Sequence, residues 1–171
     1  MRGDATSRLF LTLWPNGATR ASLACCRDAW AWDAGAAPVP TERLHLTLHF
    51  LGAVPQHRVP ELIDGLAVPS SPFTLCLDRS SCWPGGVAVL APSAATQALL
   101  ALHAALNEAL ERLGLSTEAR RYRPHVTLAR HAANSAAPAQ TTPLHWPVRG
   151  YALMESQQAT RDYIVLEHFG D

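Results

Sequence analysis

Two separated stretches of the chain alternate apolar and polar residues with the period of two that is typical of β-strands. The first reads Arg-Leu-His-Leu-Thr-Leu-His-Phe at residues 43–50, and the second reads Arg-Pro-His-Val-Thr-Leu-Ala-Arg at residues 123–130. Both contain the pattern Arg-x-His-apolar-Thr-Leu. The repeat therefore predicts two strands that occupy equivalent places in a duplicated fold.

Each of these two strands is expected to carry an imidazole and a hydroxyl on one face. Successive side chains of a strand point to opposite faces, so His45 and Thr47 lie on one face about 7 Å apart, as do His125 and Thr127. The opposite face of the first strand is apolar and is predicted to be core. Its residues are Leu44, Leu46, Leu48 and Phe50. Two such strands side by side would place two histidines and two threonines around one cleft.

Strict alternation also positions the residues that come after the threonines. It puts His49 on the face of His45, as a rim residue, and it puts Arg130 opposite His125. Arg130 would then reach the cleft only if its strand ends or twists there. His45 and His49 lie about 13 Å apart along a strand, which is too far for them to share a metal ion. Because Glu42 is the only carboxylate near either motif, no metal site is expected.

The remaining pattern predicts an α+β fold in the order strand, helix, strand, helix, two strands, helix, strand and two strands. The expected helices are 18–32, 59–66 and 99–113, with Ser93 as the N-cap of the last and Gly114 at its end. The other expected strands are 8–14, 73–77, 86–90, 148–156 and 163–169. Connections are expected at 35–40, at 52–55 after the first motif, at 80–85, at 132–143 as a flexible loop, and at 157–161.

This order predicts one domain over residues 1–171 with two pseudo-symmetric lobes, each carrying one His-x-Thr motif. Antiparallel-rich sheets would line a central cleft, and the helices would pack outside. A content of 48% hydrophobic residues in a chain of 171 is enough for a core of this size.

The charge composition excludes several classes of protein. The formal net charge is zero, which argues against a protein that coats long nucleic acid by counterion release. All 14 basic residues are arginines. A ligase with a covalent lysine intermediate and a P-loop nucleotide-binding protein both require a lysine, so both are excluded.

The cysteines and the start of the chain favour a reduced, cytoplasmic protein. Cys25, Cys26, Cys76 and Cys82 have no Cys-x-x-Cys spacing, and no signal peptide is recognised before them. The apolar run at 9–14 is too short to span a membrane. We expect no membrane association and a monomer.

The predicted cleft is suited to chemistry at phosphorus. One neutral imidazole can accept a proton while a charged imidazole on the other side donates one, and a histidine pKa near 6.5 allows both forms near neutral pH. The hydroxyls of Thr47 and Thr127 can donate to non-bridging phosphate oxygens, where negative charge gathers during in-line displacement.

The paired motifs and their flanks resemble the 2H phosphoesterase superfamily. Leu-Thr-Leu-His-Phe-Leu-Gly at 46–52 and the stretch at 123–130 are similar to its RNA 2′,3′-cyclic phosphodiesterase branch, also called 2′-5′ RNA ligases. The resemblance implies hydrolysis of an RNA-terminal 2′,3′-cyclic phosphate to a 2′-phosphomonoester, without a metal or other cofactor. It also implies reversible 2′-5′ joining of RNA ends without ATP.

The same resemblance implies the roles of individual residues. His125 would be the general base, His45 the general acid, and Arg130 a substrate-binding residue. Near-symmetry of the two motifs leaves the acid and base assignments open when the residues are considered alone.

Two other functions are compatible with the same residues. One is hydrolysis of a small cyclic nucleotide such as ADP-ribose cyclic phosphate, and the other is a binding module that holds RNA ends without turnover. An intact histidine pair argues against the binding module, because binding alone has no use for a donor–acceptor pair. Two groups of nearby residues have two interpretations each. The arginines could attract RNA or be an ordinary solvated surface: Arg120, Arg121 and Arg123. The aromatic residues could stack on bases or belong to the core: Tyr122, Trp83 and Phe50.

Overall fold

Residues 3–170 are described by a computed structural model and form an α+β fold with one large and one small sheet. The strands are β1 (Thr6–Leu13), β2 (Ala37–Pro38), β3 (Leu46–Pro55), β4 (Phe73–Leu77), β5 (Arg79–Trp83), β6 (Val87–Ala91), β7 (Val126–Arg130), β8 (Leu144–Val148), β9 (Gly150–Ser156) and β10 (Tyr163–Gly170). The α-helices are α1 (Gly17–Asp28), α2 (Val59–Gly65) and α3 (Gln97–Arg112), with short 3-10 turns at Thr41–Arg43 and Gln56–Arg58.

The large sheet has the strand order β10-β9-β1-β3-β7-β6-β5, with β2 paired to β7, and the small sheet joins β4 to β8. All strand pairs within residues 3–170 are antiparallel. The predicted antiparallel-rich α+β class is therefore confirmed. The two motif strands, β3 and β7, are neighbours in the middle of the sheet and meet through the pair Leu46 and Val126. The division of one domain into two pseudo-symmetric lobes stays a prediction.

Each motif strand contains a β-bulge at the same motif position. In β3, Leu11 of β1 pairs with His49 and Thr12 pairs with Thr47, so Leu48 is the extra residue. In β7, Ala88 of β6 pairs with Ala129 and Val89 pairs with Thr127, so Leu128 is the extra residue. An extra residue reverses which face the following side chains occupy. The burial pattern is consequently the same in both strands, with two buried residues in succession and then an exposed one.

The bulge in β3 corrects two predictions made from strict alternation. Phe50 was expected in the core but is 61% exposed, and His49 was expected at the rim but is only 7% exposed. The strand also continues to Pro55 instead of stopping at Gly52, because a second bulge lies at that point. Gly52 has a φ of 73°, a conformation that glycine adopts without a steric penalty.

Several element boundaries also differ from the sequence prediction. The expected connection at 80–85 contains strand β5, and β4 pairs with β8 instead of forming a hairpin with β6. The expected strand at 148–156 corresponds to β9, which begins at Gly150, whereas Val148 is the last residue of a separate strand, β8. The expected loop at 35–40 contains β2. The pairings of β4 with β8 and of β2 with β7 join residues far apart in sequence, so the local pattern does not reveal them.

The ends of the helices depend on hydrogen bonds that local propensity does not distinguish. Thr96, not Ser93, caps α3, because its hydroxyl accepts from the Leu99 amide at 3.2 Å. The Ser93 hydroxyl donates instead to Asp78 at 2.7 Å. Helix α1 ends at Asp28, short of the predicted residue 32, and a β-bridge then holds Ala31 against Ala136. The long helix itself and its terminal Gly114, with a φ of 73°, are confirmed.

The main core lies between the large sheet and the helices. It is built from the apolar faces of β1, β3 and β7 and from the leucines of α3. The buried leucines of α3 are Leu99, Leu102, Leu106 and Leu110, spaced three or four residues apart. Burying the apolar face of both motif strands leaves their histidine faces directed away from this core.

Candidate functional site

The structure brings the two predicted histidines and the two predicted threonines together. His45 and His125 stand immediately before β3 and β7, which pair at Leu46 and Val126. In an antiparallel register this pairing places His45 across from Thr127 and His125 across from Thr47. The charge of His125 acts on the pKa of His45, as expected for neighbouring rings. Imidazoles and hydroxyls therefore alternate around one cleft.

Both imidazoles are oriented by the backbone in the same way. His45 Nδ1 donates to the carbonyl oxygen of Arg43 at 2.6 Å, and His125 Nδ1 donates to that of Arg123 at 2.7 Å. A neutral imidazole has one donor and one acceptor nitrogen, so a proton on Nδ1 leaves the lone pair on Nε2. The Thr47 hydroxyl lies 3.1 Å from His45 Nε2 and donates to it. Each ring thus has Nε2 available to accept a proton.

Burial lowers the pKa of both histidines. For His45 the pKa falls from 6.5 to about 4, mainly because the ring is removed from water, with further lowering by the charges of Arg20 and Arg43. For His125 burial also lowers the pKa, and the charges of Arg123 and Arg130 add to the effect. In the free protein both rings are therefore neutral at neutral pH. An anion bound between them would favour the charged form of one ring.

An aromatic ring and an arginine support each histidine in matching arrangements. Tyr163 packs edge-on against His45 with ring centroids 5.3 Å apart, and the guanidinium of Arg43 lies 4.7 Å from the Tyr163 ring. On the other side Trp83 packs against His125 at 4.5 Å, and the guanidinium of Arg123 lies 4.1 Å from the Trp83 ring. Sequence analysis missed the role of Tyr163. The signal for Arg43 was present, because an arginine precedes the histidine by two positions in both motifs.

The bulge in β7 also changes the position of Arg130. Strict alternation placed this side chain opposite His125, but the extra residue Leu128 reverses the face. Leu128 and Ala129 are both fully buried, Arg130 is exposed, and its charge acts on the pKa of His125. Arg130 thus stands on the histidine side of the strand.

A groove of about 610 Å³ is lined by His125, Thr47 and the exposed ring of Phe50. Tyr122 is held at its side, because its hydroxyl donates to the Thr47 carbonyl at 2.9 Å. Its ring stacks at 3.8 Å on His103, which stacks at 4.0 Å on the buried His49. Arg120 and Arg121 also line the groove, together with Glu118.

Residues 3–170 contain no group of three or more His, Cys, Asp or Glu side chains placed to hold a metal ion. Among the helices of the same range, none is long and apolar enough to cross a membrane.

The chain belongs to the 2′-5′ RNA ligase superfamily, whose family model matches residues 26–160 and so includes both motifs. It is 34% identical to the RNA 2′,3′-cyclic phosphodiesterase of Thermus thermophilus, across 95% of this chain and 89% of the relative. A solved structure described as a phosphoesterase is similar with a TM-score of 0.86 and 26% identity, covering 97% and 98% of the two chains. E. coli LigT complexed with 3′-AMP matches with a TM-score of 0.82 and 27% identity, covering 97% and 98%.

The buried histidines are expected to make the protein less stable on acidification. The pKa of His45 and that of His103 both fall from 6.5 to about 4, mainly through burial, with the charge of His49 adding at His103. Between these values the unfolded chain binds more protons than the folded one, so the free energy of unfolding falls as the pH drops. We expect a lower urea midpoint at about pH 4.5 than at about pH 7.

His103→Phe tests this explanation, because phenylalanine keeps a ring between His49 and Tyr122 but does not titrate. It should reduce the loss of stability on acidification. The same substitution at the exposed His57 serves as the control and should leave the pH dependence unchanged. A pH dependence that His103→Phe leaves intact would contradict the assignment.

Proposed function

We propose that this protein hydrolyses the 2′,3′-cyclic phosphate at the 3′ end of an RNA to a 2′-phosphomonoester. The observation that carries this proposal is the pair of imidazoles of His45 and His125. In each, Nδ1 donates a hydrogen bond to a backbone carbonyl, so that Nε2 is presented to one cleft. A donor and an acceptor on the two sides of a phosphorus are what in-line displacement requires. The activity named for the Thermus thermophilus relative supports the same reaction.

In the proposed reaction His125 Nε2 accepts a proton from water as the water oxygen forms a bond to phosphorus. The bond from phosphorus to the ribose 3′ oxygen breaks, and His45 Nε2, protonated in the complex, donates its proton to that oxygen. A low intrinsic pKa makes the His45 imidazolium a strong acid. The negative charge of the bound phosphodiester stabilises the imidazolium, which takes its proton from solvent. In the reverse direction, with an RNA 5′-hydroxyl in place of water, the same steps would form a 2′-5′ linkage without ATP.

The other site residues stabilise the phosphate. Thr47 and Thr127 lie across from His125 and His45, where their hydroxyls donate to the non-bridging oxygens as charge develops. Arg130, which is exposed and follows the bulge in β7, attracts the phosphate through its guanidinium. All of these groups come from one chain, which supports a monomer as the active form. All four cysteines are free thiols, which favours the reducing conditions of the cytoplasm.

Incubation with an RNA oligonucleotide that ends in a 2′,3′-cyclic phosphate tests the proposal. We expect conversion to the 2′-phosphomonoester, identified by phosphorus NMR, at a rate that EDTA does not change, because the mechanism needs no metal. The matched control is the same RNA with a 3′-phosphate, which should remain unaltered. A 3′-phosphomonoester product, or activity that is lost in EDTA and restored by a divalent cation, would contradict the two-histidine mechanism.

A further inference from the structure

We propose that the groove beside His125 is a subsite for the phosphodiester that joins the terminal nucleotide to the nucleotide before it. Arg120 and Arg121 would hold this phosphate, and Phe50 would stack on the terminal base. This inference rests on the proposed function and specifies its substrate as an RNA end rather than a small cyclic nucleotide.

The exposure of Phe50 is the first observation behind this subsite. Phe50 is 61% exposed and lines the groove, so its ring is open to a ligand bound there. The bulge at Leu48 produces the exposure, since it reverses the face that alternation would have buried. Every RNA base has a π-face that can stack on such a ring without regard to sequence.

A comparison of the two motifs shows what Phe50 replaces. The bulges are equivalent, so the residue that each one turns outward is also equivalent: Arg130 in β7 and Phe50 in β3. A guanidinium binds phosphate, whereas a phenyl ring binds a base. The near-symmetric cleft therefore has one end suited to phosphate and the other suited to a nucleoside.

The charge of the groove is the second observation. The whole chain has no net charge, yet Arg120 and Arg121 both line the groove together with a single carboxylate, that of Glu118. The ion pairs in residues 3–170 join Arg27 to Asp28 and Arg58 to Glu61, so these two groove arginines are not engaged in them. Both side chains are exposed and available to an anion.

The groove is continuous with the catalytic cleft, since Thr47 and His125 are among the residues that line it. Its volume of about 610 Å³ is within the usual range for small-ligand sites, which is roughly 300 to 1,000 Å³. The stacked rings of Tyr122, His103 and His49 also line this groove. A terminal nucleoside that stacks on Phe50 would place its 5′ phosphate in the groove that the two arginines line.

Three substrates separate the contributions of base and phosphate. They are a nucleoside 2′,3′-cyclic phosphate with a free 5′-hydroxyl, the same compound with a 5′-phosphate, and a dinucleotide that ends in a 2′,3′-cyclic phosphate. The first lacks the phosphate that Arg120 and Arg121 would bind, and the other two carry it. We expect kcat/KM to be roughly 5- to 50-fold higher for the dinucleotide than for the first compound, and this advantage to shrink with added salt.

The double variant Arg120→Ala/Arg121→Ala should abolish that advantage, so that kcat/KM for the dinucleotide falls to that for the 5′-hydroxyl compound. Arg149→Ala, an exposed arginine between β8 and β9, is the matched control and should retain the advantage. Phe50→Ala should lower kcat/KM for all three substrates by roughly 5- to 100-fold, because stacking on the terminal base is common to them. Melting temperatures would confirm that each variant is folded.

The possible failures are distinguishable. If none of the three substrates is turned over, the proposed function is wrong. If they are turned over equally, or if the double variant keeps the preference for the dinucleotide, the function stands and the subsite is wrong.

Discussion

Replacement of either motif histidine by alanine is expected to lower kcat/KM on an RNA-terminal cyclic phosphate by about 10²- to 10⁴-fold, the usual range for a general acid or base. His45 and His125 each present Nε2 to the cleft. Among the imidazoles of residues 3–170, no other has its Nδ1 hydrogen-bonded to the carbonyl oxygen of the residue two positions earlier. The substitutions should leave the melting temperature close to that of the unaltered protein. His57→Ala, at an exposed histidine outside the cleft, is the matched control and should keep full activity.

The double variant His45→Ala/His125→Ala should lose much less than the product of the two single losses. A base and an acid that act in the same step form one unit, so removal of the first already disables the second. Losses that multiply in the double variant would show that the two histidines act independently. Full activity in both single variants would mean that this cleft is not the active site.

The pH dependence identifies which histidine is the acid. With one base and one acid, kcat/KM is bell-shaped in pH and its limbs report the pKa values of the pair in the free protein. Burial lowers both values below 6.5, so the alkaline limb should begin on the acid side of pH 6.5. The corresponding limb of kcat should lie at higher pH, because bound phosphate favours the imidazolium.

Loss of the alkaline limb in His45→Ala would identify His45 as the proton donor, as proposed. Loss of the acid limb instead would reverse the assignment of His45 and His125.

Replacement of Thr47 or Thr127 by valine is expected to lower kcat by about 10²- to 10³-fold, the range found for removal of a hydrogen-bond donor to a developing oxyanion. Valine preserves the branched shape and the strand preference of threonine, so the fold should be retained. Serine at the same positions keeps the hydroxyl and should restore most of the rate. Thr74→Val, at an exposed position in β4, provides the control.

Thr47 and Thr127 should differ in one measurable respect. The Thr47 hydroxyl also lies 3.1 Å from His45 Nε2, whereas no such bond joins Thr127 to a histidine in residues 3–170. The hydrogen bond from Thr47 to Nε2 favours the neutral ring, so its loss in Thr47→Val should raise the pKa of His45. The limb of the pH profile of kcat/KM that reports this pKa should then move to higher pH. Thr127→Val should not. Near-normal rates in both valine variants would assign these threonines a structural role.

The sequence by itself determined which residues could form the site. Period-two alternation predicted the two motif strands, and the repeat of His-x-Thr identified four side chains on equivalent faces. The structure places those four residues around one cleft, in neighbouring strands. The long helix α3 could also be predicted from the sequence, because its leucines recur every three or four residues and Gly114 marks its end.

The tertiary structure alone decided which faces the residues beyond the threonines occupy. A bulge depends on the register with the partner strand. Pairing with β1 places a bulge in β3 and pairing with β6 places one in β7, and the alternation of the sequence encodes neither of them. For this reason Phe50 is exposed, His49 is buried, and Arg130 stands beside His125. The low pKa of His45 has the same kind of origin, because burial depends on the aromatic rings and arginines that other elements bring around it. Local pattern thus determines which residues form the motif strands and which side chains within each His-x-Thr motif share a face. Strand pairing and packing determine the faces beyond the bulges, which side chains meet and how they titrate.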